Sequence, residues 1–437
     1  MRNIDSICVN SRWLSSRKLR RIEVHPLIDK IGARLPGWKG KFLSSLEKEI
    51  LVKTVLSSLP IYHLTVFHAQ KWLIKRIDRI RRSFLWRGES SDKVSGGHSL
   101  LNWPTTCLPK TKGGLGILDL ERFTRALRLR WLWFKRKQKQ RAWNNMEIPC
   151  DKVDRDLFYV STVVTVGDGN TTPFWSSNWI NGSMAKSIAL LLLENMRRKK
   201  IIVRQALTNN KWIDHIYPPT SQEEVRQFVW LWEELQGVVL NEVIQDDITW
   251  RWTADGVYTT QSAYQIQFVG VYSRIKITPI WKAKAEHKCR FFAWTLMHKK
   301  ILTANNLLKR GWTEDTECKL CDNDMETPAH LCKDCPFTKE VWGIIKQWFN
   351  LSVLDTVSEV GSIYSFWLRC RRKIDKNHRK EVDIILIYFW WNIWKERNRR
   401  IFQQQNLQPI QVAYLCKDDI TQYCLAMAPQ DQGTQSE

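Results

Sequence analysis

Residues 317–342 read ECKLCDNDMETPAHLCKDCPFTKEVW, and four of them have the types and spacing of a metal clamp. Cys318 and Cys321 form a C-x2-C pair, eight residues separate Cys321 from His330, and four more separate His330 from Cys335. The short C-x2-C loop lets two thiolates bite one ion and the H-x4-C arm returns two further ligands, which predicts the closed sphere of a structural Zn2+ site. Four protein ligands leave no open position for water, so the expected role is structural rather than catalytic. Cysteines are also common core residues, but the loop around these is rich in Asp, Asn, Glu and Lys, a poor place for core filler. Cys332 stands two residues after His330 and competes with Cys335 for the fourth position. Its use would strain the second arm, so Cys335 is preferred.

The elements that must position this clamp are helical in pattern. A Trp- and Phe-rich block over 281–312 leads into it, and Val341, Trp342, Ile345 and Trp348 continue beyond it at helical spacing. The clip is expected to tie these two helices together at their near ends. A long helix over 377–405 follows, with Val382, Leu386, Phe389 and Ile393 on one face and KERNRR at its end. It holds the most apolar run, residues 384–394, which is far short of the roughly twenty residues needed to span a bilayer. The last 30 or so residues are polar and Gln-rich and are expected to fray.

The chain has 437 residues, enough for two or three domains, and 43% of them are hydrophobic. Its 68 Lys and Arg exceed 44 Asp and Glu, giving a formal charge of +24 that favours a polyanionic partner such as nucleic acid. Twenty-four tryptophans fit either several Trp-rich cores or a surface on which bases stack. Eleven cysteines without a regular framework, and no apolar run of signal length after Met1, predict a reducing intracellular compartment, nucleus and cytoplasm not being distinguished.

Toward the N-terminus, Ser44 and Glu47 form a capping box, with Leu46, Ile50, Val55 and Leu59 following at helical spacing until Pro60. A second helix over 71–87 sets Trp72, Ile77, Ile80, Phe84 and Leu85 among Lys71, Lys75, Arg76, Arg79, Arg81, Arg82 and Arg87. Residues 88–98 read as a loop. The segment 109–116 (PKTKGGLG) lacks the order of a phosphate-binding loop and reads as a tight turn. From Asp119 a third helix carries Leu120, Phe123, Leu127, Trp131 and Phe134 on one face, with Arg122, Arg125, Arg136, Lys137 and Lys139 off that stripe. Lys75, Arg76, Arg79, Arg82, Arg122, Arg125 and Arg136 are therefore candidate phosphate contacts, although such runs are often only solvated faces. Alternation at Val160, Thr162, Val164 and Val166 before Gly167-Asp168-Gly169-Asn170 predicts a short hairpin, and a second is signalled over 249–258.

Several of these stretches together resemble one family. The run WKAKAEHKCRFFAWTLMHKKILTANNLLKRGW, then CKLC and AHLCKDCPFTKEVW, resembles the zinc-binding module of plant-type non-LTR (LINE-like) retrotransposon reverse transcriptases. VGDGNTTPFWSSNW and WRWTADGVYTTQSAY resemble the linker before that module. LVKTVLSSLPIYHLTVFHAQKWLIKRIDRIRRSFLW and WPTTCLPKTKGGLGILDLERFTRALRLRW resemble the thumb and connection after the polymerase palm, and WNIWKERNRRIF resembles the helix downstream of the module. The resemblance implies Cys318, Cys321, His330 and Cys335 as zinc ligands; Cys332 and Thr124 depart from the family pattern. It also implies a palm with metal-binding carboxylates in an aromatic-x-Asp-Asp turn. Asp246-Asp247 and Asp418-Asp419 are the Asp pairs here, they lack that context, and they read as solvent-facing.

The expected fold is mainly α with short β-hairpins and multi-domain: a helical thumb-like region (1–90), a connection with a basic helix (91–150), a linker region with β-hairpins and helices (151–270), a reverse transcriptase-type zinc-binding module (271–350), and a C-terminal helix with polar tail (351–437). The expected function is that of a non-catalytic reverse transcriptase fragment binding Zn2+ and, without sequence preference, RNA or DNA, with no membrane and no small-molecule substrate. The alternative is a structural or protein-interaction module whose zinc site only stabilises the fold.

Overall fold

The structure is a computed structural model that describes residues 21–34, 40, 42–66, 70–88, 99–138, 148–271 and 275–427. Among the described residues the chain is mainly helical with two small antiparallel sheets, in line with the expected fold class. The expected loop at 88–98 lies, apart from Gly88, outside the described residues, as does Lys139. By its internal contacts the chain divides into two compact units built from interleaved segments. One comprises Met1–Ile28, Ser58–Lys75 and Leu120–Gly270, the other Asp29–Ser57, Arg76–Asp119 and Val271–Glu437.

In the first unit the helix Leu120–Lys137 is central, but its buried positions are Leu120, Thr124, Ala126, Leu127, Arg128, Leu129, Leu132 and Trp133. Of the predicted stripe, Leu120 and Leu127 are buried, and Phe123, Trp131 and Phe134 are half-buried. The difference has a cause that periodicity cannot register: Arg128 is an interior residue, held by Asp154 through two bonds of 2.6 and 2.9 Å. Asp154 also closes the capping box of helix Lys152–Ser161 with Asp151. The tryptophans here are largely core. Phe174 packs on Trp175, Trp179 and Trp212, and Trp212 reaches Phe228 at 5.4 Å and Trp232 at 6.3 Å.

The strands pair differently from the prediction. Thr162–Thr165 does not fold into a hairpin through residues 167–170 but lies antiparallel to Asp247–Trp250, with Thr162 opposite Trp250 and Thr165 opposite Asp247. The second predicted hairpin is likewise a turn without a returning strand, closed by the Trp250 N–H on the Gly256 carbonyl at 2.7 Å. A hairpin does form between Asn178–Ile180 and Ser183–Met184. Its turn residues, Asn181 (φ 48°) and Gly182 (φ 76°), are the Asn-Gly pair that two positive φ angles favour.

Asp246, expected to face solvent, is what organises the loop at 167–172. Its carboxylate accepts from the Gly167, Gly169 and Thr171 amides at 2.8–3.0 Å and from the Thr171 and Thr172 hydroxyls at 3.1 and 2.7 Å. Gly169 sits at φ +68° with a would-be Cβ 2.8 Å from the Arg204 amide nitrogen, so only glycine fits there. Burial opposes ionisation of Asp246, but the bonds from Thr172, Gly167, Thr171 and Gly169 outweigh it and hold the carboxyl below its ordinary value. A depressed folded pKa adds stability that is present above the unfolded value of about 3.9 and lost as pH falls through the folded value. Asp246→Ala is expected to cost about 2–3 kcal/mol near neutral pH, with the difference from wild type shrinking below about pH 4; urea unfolding at pH 7 and pH 3 checks both.

In the second unit the Ser44–Glu47 capping box forms as predicted and starts helix Ser45–Leu51. A π-helical turn over Val52–Leu56 follows and rotates the face, so Val52 and Leu56 are buried while Ile50 is exposed. Residues 109–116 form the expected turn: a 3-10 turn at Lys110–Lys112 ends at Gly113, whose carbonyl takes the Trp294 indole N–H at 3.0 Å. Helix Arg379–Gln403 is buried on every side through its middle, Ile385 to Trp390 included. The expected frayed tail is a helix as far as Ala426: Pro409–Ala426 buries Val412, Ala413, Cys416 and Ile420. Its Asp419 accepts from Asn392 and Lys395, each at 3.0 Å, while Asp418 is exposed as expected. Among the described residues no helix is long and apolar enough to cross a membrane.

Candidate metal centre

The sulfurs of Cys318, Cys321 and Cys335 and a ring nitrogen of His330 all lie within 4.8 Å of one another. Cys318 Sγ is 4.0 Å from Cys335 Sγ, and Cys321 Sγ is 3.3 Å from His330 Nε2. A tetrahedral ion bound at about 2.3 Å to sulfur and about 2.0 Å to nitrogen spaces its ligands about 3.5–4 Å apart. The cluster has that size. It is also the group of three or more Cys, His, Asp or Glu side chains that could hold a metal among the described residues.

Two local structures bring the four together. The C-x2-C arm is a tight loop in which Cys318 N–H bonds the Asp324 carbonyl at 2.8 Å, Asp322 adopts φ 49°, and Glu317 bridges Met325. The H-x4-C arm is a π-helical turn, His330–Asp334, closed by the Cys335 N–H on the His330 carbonyl at 2.8 Å. The i to i+5 bond of a π turn returns Cys335 to the side of His330. Cys332, two residues on and so roughly half a turn round, lies fully buried outside the cluster, with burial first and Glu326 second pushing its thiol well above the usual range. Within the cluster the Cys318 thiol, hydrogen-bonded to Cys335, draws the Cys335 thiol below its usual range and is itself raised by the same bond. A depressed thiol is the form a metal takes. His330 Nδ1, on the ring edge away from the sulfurs, lies 3.6 Å from Asp324.

The long helix braces this loop through residues the sequence did not single out. Glu326 is fully buried and receives Arg397 Nε at 3.2 and 3.1 Å and Arg397 Nη2 at 2.9 Å, together with the Ala304 amide at 2.8 Å. One turn on, Arg400 Nη1 donates to the carbonyls of Lys319 and Leu320, the two residues between the cysteines, at 3.2 and 3.0 Å. Arg400 also lies over the Phe337 ring at 4.5 Å. The KERNRR end of the helix is thus a cradle for the C-x2-C loop rather than a solvated basic end.

The basic residues singled out on the other helices have divided roles. Lys75 and Arg79 are exposed, and Arg76 and Arg82 are half-buried. Arg81, in the same run, is fully buried on Asp78, Ser57 Oγ and the Leu118 carbonyl. Arg122 donates to the Gln267 carbonyl at 2.8 Å and covers the Phe268 ring, Arg125 reaches Gln267 Oε1 at 3.2 Å and Asp154 at 3.6 Å, and Arg136 donates to the Thr171 carbonyl at 2.5 Å. These last three hold the first unit together, which a charge pattern alone cannot reveal.

A zinc-sized Cys3His cluster between helices defines the class, and comparison with known families agrees. Residues 258–342 match the family described as zinc-binding in reverse transcriptase, and the Cys3His cluster within that stretch is close enough to bind a metal ion, zinc being the metal of that family. The chain is also similar to a protein of Arabidopsis thaliana provisionally named a ribonuclease H protein, at 24% identity over 352 residues, 72% of this chain. It spans 54% of that relative's length. Both matches support the resemblance to plant retrotransposon reverse transcriptases that the motifs carry.

Proposed function

We propose that Cys318, Cys321, His330 and Cys335 bind one structural Zn2+, and that the chain so organised is a non-catalytic, reverse-transcriptase-related protein that binds RNA or DNA without sequence preference. The ligand geometry carries the first part. Four protein ligands close the sphere, so the metal would supply folding energy and no activated water. Charge carries the second: the chain is +24, and Lys75 stands exposed on helix Lys71–Arg87, where a phosphate can reach it. The non-catalytic reading rests on the carboxylates. Nucleotidyl transfer or strand cleavage by two metals needs acids converging on the ions, whereas Asp246 and Asp419, the Asp-pair members nearest to burial, are engaged by amides, hydroxyls and side chains of their own unit.

The internal bonds of Arg122, Arg125 and Arg136 favour, for that one helix, the alternative of a purely structural role. A filter-binding titration against a single-stranded oligonucleotide at rising salt tests the nucleic-acid reading. The expected logarithm of affinity falls linearly with that of salt, by about 0.7 for each phosphate neutralised. Undetectable or salt-independent binding would remove this reading.

A further inference from the structure

Residues 197–200 read Arg-Arg-Lys-Lys, the longest uninterrupted run of cations in the chain. All four are exposed. We propose that this run, with Tyr217 beside it, is a docking ridge for single-stranded nucleic acid, phosphates meeting the cations and a base meeting the tyrosine ring. The proposal rests on the nucleic-acid reading above and gives it a further place, apart from both basic helices.

Three observations carry it. The first is anchoring: Met196 and Ile201, flanking the run, are both 5% exposed, and Val203 beyond them is fully buried. The run cannot retract, so four adjacent like charges are held out in solvent by the core. The second is a backbone bridge that fixes the run's neighbour. Arg197 N–H bonds the His215 carbonyl at 2.8 Å, Tyr217 N–H bonds the Asn195 carbonyl at 3.1 Å, and Met196 and Ile216 form an antiparallel bridge between them. Tyr217 is thereby fixed next to the run, 46% exposed, with the Arg197 guanidinium 4.7 Å from its ring centre.

The third is the charge balance. Arg198, Lys199 and Lys200 have no acidic partner among the described residues, whereas Arg81, Arg128 and Arg397 are each neutralised by a carboxylate. Crowded cations without partners oppose folding by mutual repulsion, so the ridge contributes nothing to the core that would account for it. A positively charged track with an adjoining aromatic face is the chemistry that grips unstacked bases and their backbone together. An acidic peptide would use the charges and leave the ring idle.

The test uses the full, zinc-loaded chain and fluorescent 12-nucleotide single strands of RNA and DNA, a DNA duplex, and polyglutamate as competitor. Replacing Arg198, Lys199 and Lys200 together by glutamine is expected to weaken single-strand binding at least tenfold at 0.1 M salt and to flatten the salt slope by about 2, three contacts at roughly 0.7 each. A control that removes the same charge elsewhere, Lys300, Lys309 and Lys376 to glutamine, should change binding less than threefold; all three are exposed. Tyr217→Ser is expected to weaken single-strand binding roughly fivefold or more, and Tyr217→Phe to restore it. The ridge is refuted if its variant binds like the wild type, if the control loses as much, or if polyglutamate competes as well as RNA and Tyr217→Ser costs nothing. A wild-type chain that binds no oligonucleotide would instead overturn the nucleic-acid reading beneath it.

Discussion

Cys318→Ser or His330→Ala is expected to loosen residues 281–348 and to abolish cooperative unfolding of the second unit. Structural zinc in small modules is worth about 10–16 kcal/mol of apparent binding energy at neutral pH, comparable to or larger than the net stability of about 5–15 kcal/mol of an ordinary domain. The cluster is where two helices, His287–Met297 and Pro336–Trp348, are joined by a segment of loops, turns and one five-residue helix. Without the ion, three thiols and an imidazole converge with no cation between them to hold the two arms together. Amide exchange in those helices should rise toward that of the unfolded chain, and a chelator should have the same effect on the wild type, reversed by added zinc. An unfolding midpoint indifferent to both would show that the loop folds by its own packing.

The second large effect is expected at Arg397. Removing one member of a buried ion pair strands the other, which typically costs about 3–5 kcal/mol. Glu326 and Arg397 have side chains 0% and 6% exposed, so neither can turn to water. Arg397→Ala and Glu326→Ala should each fall in that range by urea unfolding. The double variant Glu326→Gln, Arg397→Met should recover part of the loss, since a neutral pair has no stranded charge. Single losses below about 1 kcal/mol would mean that the pair is surface-like and that Arg400 alone supports the loop.

How much of this was legible depends on the range of each interaction. The four clamp residues could be read directly, because short fixed spacings express the geometry of one ion. The preference for Cys335 over Cys332 was legible only as strain in the shorter arm; the π turn that returns Cys335 to the cluster is announced by no propensity. The capping box at Ser44 was readable for the same local reason, while the buried face after it was not, again through a π turn. The Asn181-Gly182 hairpin and the Val412–Cys416–Ile420 stripe were written in the sequence and passed over, the first for a competing Gly-Asp-Gly signal and the second for a polar composition. Arg128, Arg397 and the strand partner of Thr162–Thr165 were out of reach in principle. Arg397 and Glu326 are 71 residues apart, and a lone Arg in a basic run looks the same whether it meets solvent or a distant carboxylate.

The central claim is that three sulfurs and one nitrogen hold a single zinc. Metal analysis of the purified chain tests it most directly, with Cys332→Ser and Cys335→Ser measured beside the wild type. The expected result is one zinc per chain in the wild type and in Cys332→Ser, and a marked loss in Cys335→Ser. A wild-type chain without zinc, or a loss confined to Cys332→Ser, would contradict it.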